Sequence, residues 1–536
     1  RMRGRSSLNC RPPPSRLRSA AAQRLMRALC RPIPPLAAPR ARPPRRLAHE
    51  LLPRILQGSV LPPRVQDLIT THAESLLPPP AALRVKLPEL GARLDRVFCN
   101  RELRMNDVKV IGFDYDYTLV SYKWALQDLV YERAKNYLLQ RLRYPPSLGE
   151  CSFDRSFPIR GLVFDRRHGV LMKLSYSLAI HADTVHLGRR RLQHDEVIEL
   201  YGDGLHVPMG EISEHMIILN DLFSLSEACL LADVVQLAID ADIPFDPAAL
   251  AADVSSAISW VHLSGALHDT VAADPNQYLE PSPRLGEMLE QARLSGKKLF
   301  LMTNSSFAFA DAGMRFLLGG QWQSLFDVVV TLAQKPAFYR RDSAFRVMSQ
   351  HGFVKWSQAE HADVAKGRVL VGGSLRELAR LTGWTGRQVL YVGDHLMADL
   401  AEPRRQAGWA TAAIVRELEE ELLIQTTEQY KDYHTRALAV SSMLRRLQSL
   451  DLPEEERDAA LDALEAERHR IRCCAPGLYN SSFGSVFRHN ADSTAYAFAL
   501  KQHVDLYTSR LENLLAYSPH HRFYATRCKI LPHDPD

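Results

Sequence analysis

Four short apolar runs, each ending in a polar cluster, constrain this chain more than any other feature. Val108–Phe113 (VKVIGF) runs into Asp114-Tyr115-Asp116-Tyr117-Thr118, and Lys298–Met302 (KLFLM) runs into Thr303-Asn304-Ser305. Phe326–Leu332 (FDVVVTL) is followed by Lys335-Pro336, and Gln388–Val392 (QVLYV) by Gly393-Asp394-His395, with Asp399 five residues after Asp394. From about residue 95 such runs alternate with longer helical stretches, which predicts an α/β fold with a largely parallel sheet. In such sheets active sites lie at the carboxyl ends of the strands, and all four polar clusters occupy that end.

The chemistry follows from what these side chains can do together. Asp114 and Asp116 are two apart, so a loop just past the strand can splay them around a substrate. With Asp394 they make a hard, all-oxygen pocket suited to Mg²⁺, at ligand distances near ~2.1 Å. Asp114 could attack phosphorus to give an aspartyl-phosphate. Asp116 could protonate the leaving oxygen and then activate water. Thr303, Asn304 and Lys335 would supply donors and positive charge to the transferring oxygens. Each piece alone reads as a turn, a helix cap or a surface residue. All four in this order, each at a strand end, read as one phosphoryl-transfer site.

Composition excludes several other classes. No apolar run approaches the ~20 residues needed to span a bilayer. The eight cysteines are scattered through 536 residues, Cys473 and Cys474 are adjacent, and there is no C-x-x-C, which argues against a disulfide framework, a zinc finger or a thioredoxin-like site. No Gly-rich phosphate loop of ATP- or dinucleotide-binding type occurs. The net charge of +6 is misleading, because residues 1–49 hold 13 arginines and no lysine or acid. In the rest of the chain 54 basic residues face 61 acidic ones, a balance of −7. The cationic charge therefore sits in a tail, and specific nucleic-acid binding by a basic folded face is not expected.

That tail is acid-free and rich in Arg, Ser and Ala, the composition of a transit peptide. Arg16–Leu29 could form a helix, with Leu17, Ala21, Leu25 and Leu29 at four-residue spacing. A mitochondrial matrix destination is expected, with plastid or cytoplasm as alternatives. The chain begins at Arg1 rather than Met, which leaves room for residues ahead of it. Prolines at 32, 34, 35, 39, 43 and 44 follow, and Pro78–Pro80 closes the stretch, so residues 1–85 are expected to be targeting segment and disordered Pro-rich linker.

The order D-x-D-x-T, Ser/Thr, Lys and an acidic G-D motif resembles the haloacid dehalogenase superfamily. More closely, RVFCNREL (96–103), GFDYDYTLVSYK (112–123), SFPIRGLVFD (156–165), SWVHLSG (259–265), GDHLMADL (393–400) and GSVFR (484–488) resemble the cytosolic purine 5′-nucleotidase family and its mitochondrial-type, 5′-nucleotidase domain-containing relatives. The likeness spans about residues 95–517. It implies a haloacid dehalogenase-like, Rossmannoid parallel sheet with an inserted cap domain and a helical C-terminal region. The boundaries are 86–125 and 286–425 for the catalytic core, 126–285 for the cap and 426–536 for the C-terminal region. It implies Asp114 as nucleophile and Asp116 as acid/base. Mg²⁺ would be held by the Asp114 side chain, the Asp116 backbone carbonyl and Asp394, supported by Asp399. Thr303, Asn304 and Lys335 would contact phosphate, and Phe223 and His262 of the cap would hold the substrate.

The implied activity is hydrolysis of nucleoside 5′-monophosphates, with a homo-oligomer also implied. At the base-reading positions Ser259 stands where the purine enzymes carry an acid, Leu263 where an aromatic is expected, and Ser224 in place of an amide. Loss of a charge-assisted hydrogen bond there costs about 1.5–3 kcal/mol. A regulatory or scaffolding member with little turnover, or a phosphatase for another phosphate ester, are the other readings. Three further features have structural readings. Glu417–Glu421 opens a helix with a solvated acidic face. Residues 454–472 form a charged helix with Ala459, Leu461, Leu464 and Ile471 as its apolar side, and His395 supports the motif beside Asp394.

Overall fold

The computed structural model describes residues 55–56, 59–77, 94–349, 352–364, 368–474, 476–490 and 492–525. The arginine-rich segment 1–49, expected to be a transit peptide, lies outside them. The chain divides into two compact units, Arg1–Leu83 and Arg84–Asp536. In the first, Pro63–Thr71 and Ala73–Leu76 are helical, where a disordered linker is expected from the proline count. Pro63 stands at the first helical position, where its missing N–H has no partner to lose. Val65, Leu68 and Ile69 then recur at helical spacing and are buried.

The second unit is built on a ten-stranded sheet. In spatial order its strands are Phe98–Cys99, Leu506–Thr508, Ala410–Ile414, Val389–Gly393, Val110–Phe113, Lys298–Met302, Val328–Thr331, Val369–Gly372, Phe345–Met348 and Val354–Gln358. The seven from Leu506–Thr508 to Val369–Gly372 are mutually parallel; Phe98–Cys99 and Phe345–Met348 pair antiparallel at their two edges, and Val354–Gln358 pairs antiparallel with the latter. Parallel sheets are covered on both faces, and here the side-chain alternation divides the strands accordingly. Ile111, Phe113, Leu299, Leu301, Val329, Leu390 and Val392 enter one apolar cluster. Val110, Phe300, Met302, Val328, Val330, Val389 and Tyr391 enter the other. Gly112 breaks the run for a steric reason: a Cβ there would stand 2.0 Å from the Phe300 ring.

The order of strands locates the site. Val110–Phe113 lies between Lys298–Met302 on one side and Val389–Gly393 on the other. The chain builds outward on the first side through Val328–Thr331 and Val369–Gly372, then returns to build the second. The direction of winding thus reverses at the central strand, and a crevice opens there at the carboxyl ends.

The chain leaves this core at Tyr122 and returns at Leu279, two residues that pair as an antiparallel bridge. Lys123 N–H donates to the Tyr278 carbonyl and Glu280 N–H to that of Ser121, both at 2.8 Å. Between them lie a five-stranded antiparallel sheet, ordered Arg190–Arg191, His186–Leu187, Val170–Met172, Leu162–Asp165, Met216–Leu219, and the packed helices Trp124–Arg141, Ser224–Asp240 and Pro247–Leu263.

Past residue 426 the helices Glu428–Leu447 and Glu454–Cys474 pack on each other. The C-terminal region is not helical throughout, however, because Leu506–Thr508 joins the core sheet beside Ala410–Ile414. The buried side of Glu454–Cys474 carries Ala460, Leu464, Glu467 and Ile471. Ala460 replaces the expected Ala459, and Glu467 is held there by Arg436 at 2.9 Å and Arg470 at 2.7 Å. Among the described residues no helix is long and apolar enough to cross a membrane.

Candidate active site

Asp114 is the first residue past the central strand, and its N–H continues the ladder by donating to the Val392 carbonyl at 2.9 Å. That register sets Asp114 opposite Gly393 on the neighbouring strand, one residue before Asp394. Asp114, Asp394 and Asp399 are all buried, and each offers a carboxylate oxygen within 4.8 Å of the others. Asp399 reaches this group from the Leu396–Ala401 turn because Gly393 has no side chain: a Cβ there would lie 2.5 Å from the Asp399 Cβ.

Lys335 bridges the group, its Nζ 2.7 Å from Asp114 Oδ1 and 2.6 Å from Asp399 Oδ1. The Tyr391 hydroxyl accepts from the same ammonium at 3.2 Å. Burial alone would lower the lysine pKa, but Asp114 and Asp399 outweigh it and hold the ammonium charged. Burial and then repulsion by neighbouring carboxylates push Asp114 and Asp394 well above the usual carboxylate range. Three buried carboxylates, two of them bridged by one ammonium, are short of positive charge, and their all-oxygen donor set suits a hard divalent cation.

Asp116 is partly buried, and both of its oxygens accept hydroxyl donors. Tyr122 Oη donates to Oδ1 at 2.5 Å and Ser305 Oγ to Oδ2 at 2.8 Å. Burial raises its pKa, against these two hydrogen bonds. Thr303 is buried, with its N–H on the Val330 carbonyl at 3.0 Å and its Oγ1 accepting from the Ser305 N–H at 2.9 Å. The Asn304 side chain is committed to the chain around Lys335: Nδ2 donates to the Lys335 carbonyl at 3.0 Å and Oδ1 accepts from its N–H at 2.6 Å. Its contribution here is to seat the lysine.

In the inserted segment Phe223 and His262 meet edge to face at 5.2 Å. Phe223 also packs on Tyr117 at 4.9 Å and Tyr122 at 5.9 Å, so this ring cluster touches the residue that holds Asp116. Burial lowers the His262 pKa, which favours the neutral imidazole. The Ser224 hydroxyl donates to Asp221 at 2.7 Å. Ser259 and Leu263 are exposed one turn apart. His395 caps the turn that carries Asp399, its Nδ1 accepting from Met397 and Ala398 N–H.

Sequence reasoning missed Tyr122, Ser305, Arg160 and the acidic run. Ser305 lies in the Thr-Asn-Ser cluster, and Arg160 lies within SFPIRGLVFD, but spacing alone assigns neither a partner. Arg160 is 1% exposed, donates to the Asp394 carbonyl at 3.4 Å, pairs with Glu417 and lies over the Tyr496 ring at 4.8 Å. Glu417–Glu421 is therefore not a solvated face. Glu417 holds Arg160, Glu419 holds Arg510, and buried Glu421 accepts from Ser485 and Tyr479. Tyr117, Tyr122 and Arg160 also border a cavity of about 600 Å³, together with Trp124, Arg416 and Phe487.

The sequence profile of the 5′ nucleotidase family matches residues 97–536. A 5′-nucleotidase domain-containing protein of Dictyostelium discoideum is 38% identical over 446 residues, covering 82% of this chain and 74% of its own. The 5′-nucleotidase domain-containing protein 2 of Homo sapiens is 36% identical over 452 residues, covering 83% and 86%. That of Rattus norvegicus is 35% identical over 473 residues, covering 87% and 82%. The crystal structure of CbbY from Rhodobacter sphaeroides in complex with phosphate aligns with 57% of this chain and 86% of its own at 13% identity, with a TM-score of 0.21, and the fold assignment rests on the strand order instead. With the family profile and these relatives each covering most of its length, the chain belongs to the 5′ nucleotidase family and is a phosphoric monoester hydrolase on an α/β core with a largely parallel sheet.

Proposed function

We propose that this protein hydrolyses nucleoside 5′-monophosphates to nucleoside and phosphate, dependent on Mg²⁺ and through an aspartyl-phosphate on Asp114. The observation that carries the reading is the placement of two carboxylates at the reversal of strand winding. Asp114 is seated by Lys335, and Asp116 is held by two hydroxyls, one on each oxygen.

In the first half-reaction an Asp114 oxygen attacks phosphorus, the bond to the nucleoside 5′-oxygen breaks, and Asp116 gives that oxygen a proton. In the second, Asp116 takes a proton from water as the water oxygen attacks phosphorus, which frees phosphate and restores Asp114. Lys335, its charge held by Asp114 and Asp399, and the Thr303 hydroxyl face the developing negative charge. Asp114, Asp394 and the Asp116 carbonyl would hold Mg²⁺, with Asp399 in support, and the ion would neutralise these carboxylates and draw charge from the phosphoryl oxygens. The cavity of about 600 Å³ beside Tyr122 falls within the range that suits a small-molecule ligand.

A second reading keeps this chemistry and changes the ester. Ser224 is committed to Asp221, and Ser259 and Leu263 offer no charge to a purine edge, which favours a substrate recognised with little base reading. Phosphate release by the full chain with Mg²⁺, over purine and pyrimidine monophosphates and sugar phosphates, separates the two. Nucleotide turnover abolished by Asp114→Asn is expected. A sugar phosphate as best substrate would favour the second reading, and folded protein that releases no phosphate from any ester would refute both.

A further inference from the structure

We infer that Tyr122 is a positioning residue for Asp116, acting from the chain connection that leads out of the core into the inserted segment. The inference rests on the reading of Asp116 as the proton-transfer group. A carboxyl group turns freely about its last torsion, whose preference is broad and two-fold. Proton transfer needs one particular oxygen within hydrogen-bond reach of the leaving group. Here the turn is fixed by two donors on opposite oxygens, Tyr122 Oη on Oδ1 at 2.5 Å and Ser305 Oγ on Oδ2 at 2.8 Å.

Tyr122 is itself held from both sides. Tyr122 is 6% exposed, and its ring packs edge-on against Tyr117 at 5.0 Å and at a tilt against Phe223 of the inserted segment at 5.9 Å. Its backbone pairs with Leu279, between the two 2.8 Å hydrogen bonds that join the outgoing and returning connections. These connections form a two-stranded joint, and Tyr122 is the residue of that joint whose side chain reaches the catalytic floor. The placement of the joint is thereby transmitted to the carboxylate through one hydroxyl.

Tyr122→Phe in the full chain keeps the ring and its packing and removes that hydroxyl. The readout is kcat/KM, which reports phosphoryl transfer to Asp114 and departure of the leaving group. Two esters are compared: the nucleoside 5′-monophosphate turned over fastest, whose alkoxide needs a proton to leave, and p-nitrophenyl phosphate, whose phenolate needs none. For the nucleotide a loss of about 10–10²-fold is expected, carried by kcat, below the ~10²–10⁴ that general acid–base catalysis supplies in full. The loss on p-nitrophenyl phosphate is smaller by at least about fivefold, and Ser305→Ala, which removes the other donor, shows the same selectivity. A hydroxyl that merely supports the fold would lower both esters equally. Equal losses, or no loss on either, would overturn the role of Tyr122. Asp116→Asn run alongside separates the two levels: if that variant shows no leaving-group selectivity, the reading of Asp116 itself fails.

Discussion

Replacing Lys335 with methionine removes the ammonium that bridges Asp114 and Asp399 while keeping most of the side-chain volume. At an effective dielectric near 20, each of the contacts at 2.7 and 2.6 Å carries about 6 kcal/mol of gross Coulomb energy. Desolvation of a buried ammonium cancels much of this, and breaking one side of a buried ion pair leaves a net loss of about 3–5 kcal/mol. The loss depends on pH in a defined direction. The folded pKa values of Asp114 and Asp394 lie well above 3.8, so the metal-free folded state holds their protons more tightly than the unfolded chain. Stability therefore falls as pH rises above about 4 through those folded values. Lys335 has a raised folded pKa, so its contribution is complete below its unfolded value of about 10.4 and constant across this range. Without it Asp114 titrates higher still. The charge on Asp114, not that on Lys335, varies with pH, so the gap between variant and wild type is smaller where Asp114 is protonated and grows as pH rises through its folded value. Urea unfolding in EDTA, followed by circular dichroism at about pH 4.5 and about pH 8, measures that gap. A loss under ~1 kcal/mol at the higher pH, or the same loss at both, would refute the argument that these charges are desolvated and coupled.

Gly393→Ala places a Cβ 2.5 Å from that of Asp399, and overpacking of this kind costs about 1–3 kcal/mol. Thermal unfolding should show the loss and calorimetric titration a weaker Mg²⁺ affinity, whereas unchanged affinity would mean that Asp399 lies outside the metal's reach. Removing divalent metal with EDTA should abolish phosphate release, and Mg²⁺ at about 100 times its dissociation constant should restore it and add about 2.7 kcal/mol of stability. Turnover that survives EDTA would count against the three-carboxylate cluster as the metal site.

Much of the core was legible because its signals are local. A parallel strand buried on both faces reads as a short apolar run, so Lys298–Met302 appears in the sheet with the limits its sequence predicts, and Val110–Phe113 and Val389–Gly393 shift by a residue or two. The helix Pro63–Thr71 was not legible from proline counting, since proline interrupts a helix interior but not its first position.

The sequence by itself determined the kind of fold and the polar side chains that gather at its strand ends. Strand patterning and loop chemistry act over a few residues, and the polar clusters after the strands must gather wherever a parallel sheet forms. Only the tertiary structure decided how those groups are held. Ser305 reaches Asp116 across 189 positions of sequence, and Arg160 reaches Glu417 across 257. A run of acids such as Glu417–Glu421 carries no mark of the cations and hydroxyls that will meet it, so it reads as a wet surface until the fold delivers Arg160, Arg510 and Ser485. The Asn304 amide and the Tyr122 hydroxyl likewise have no preferred partner along the chain. Their roles are fixed by which buried polar atoms the packing leaves to be satisfied.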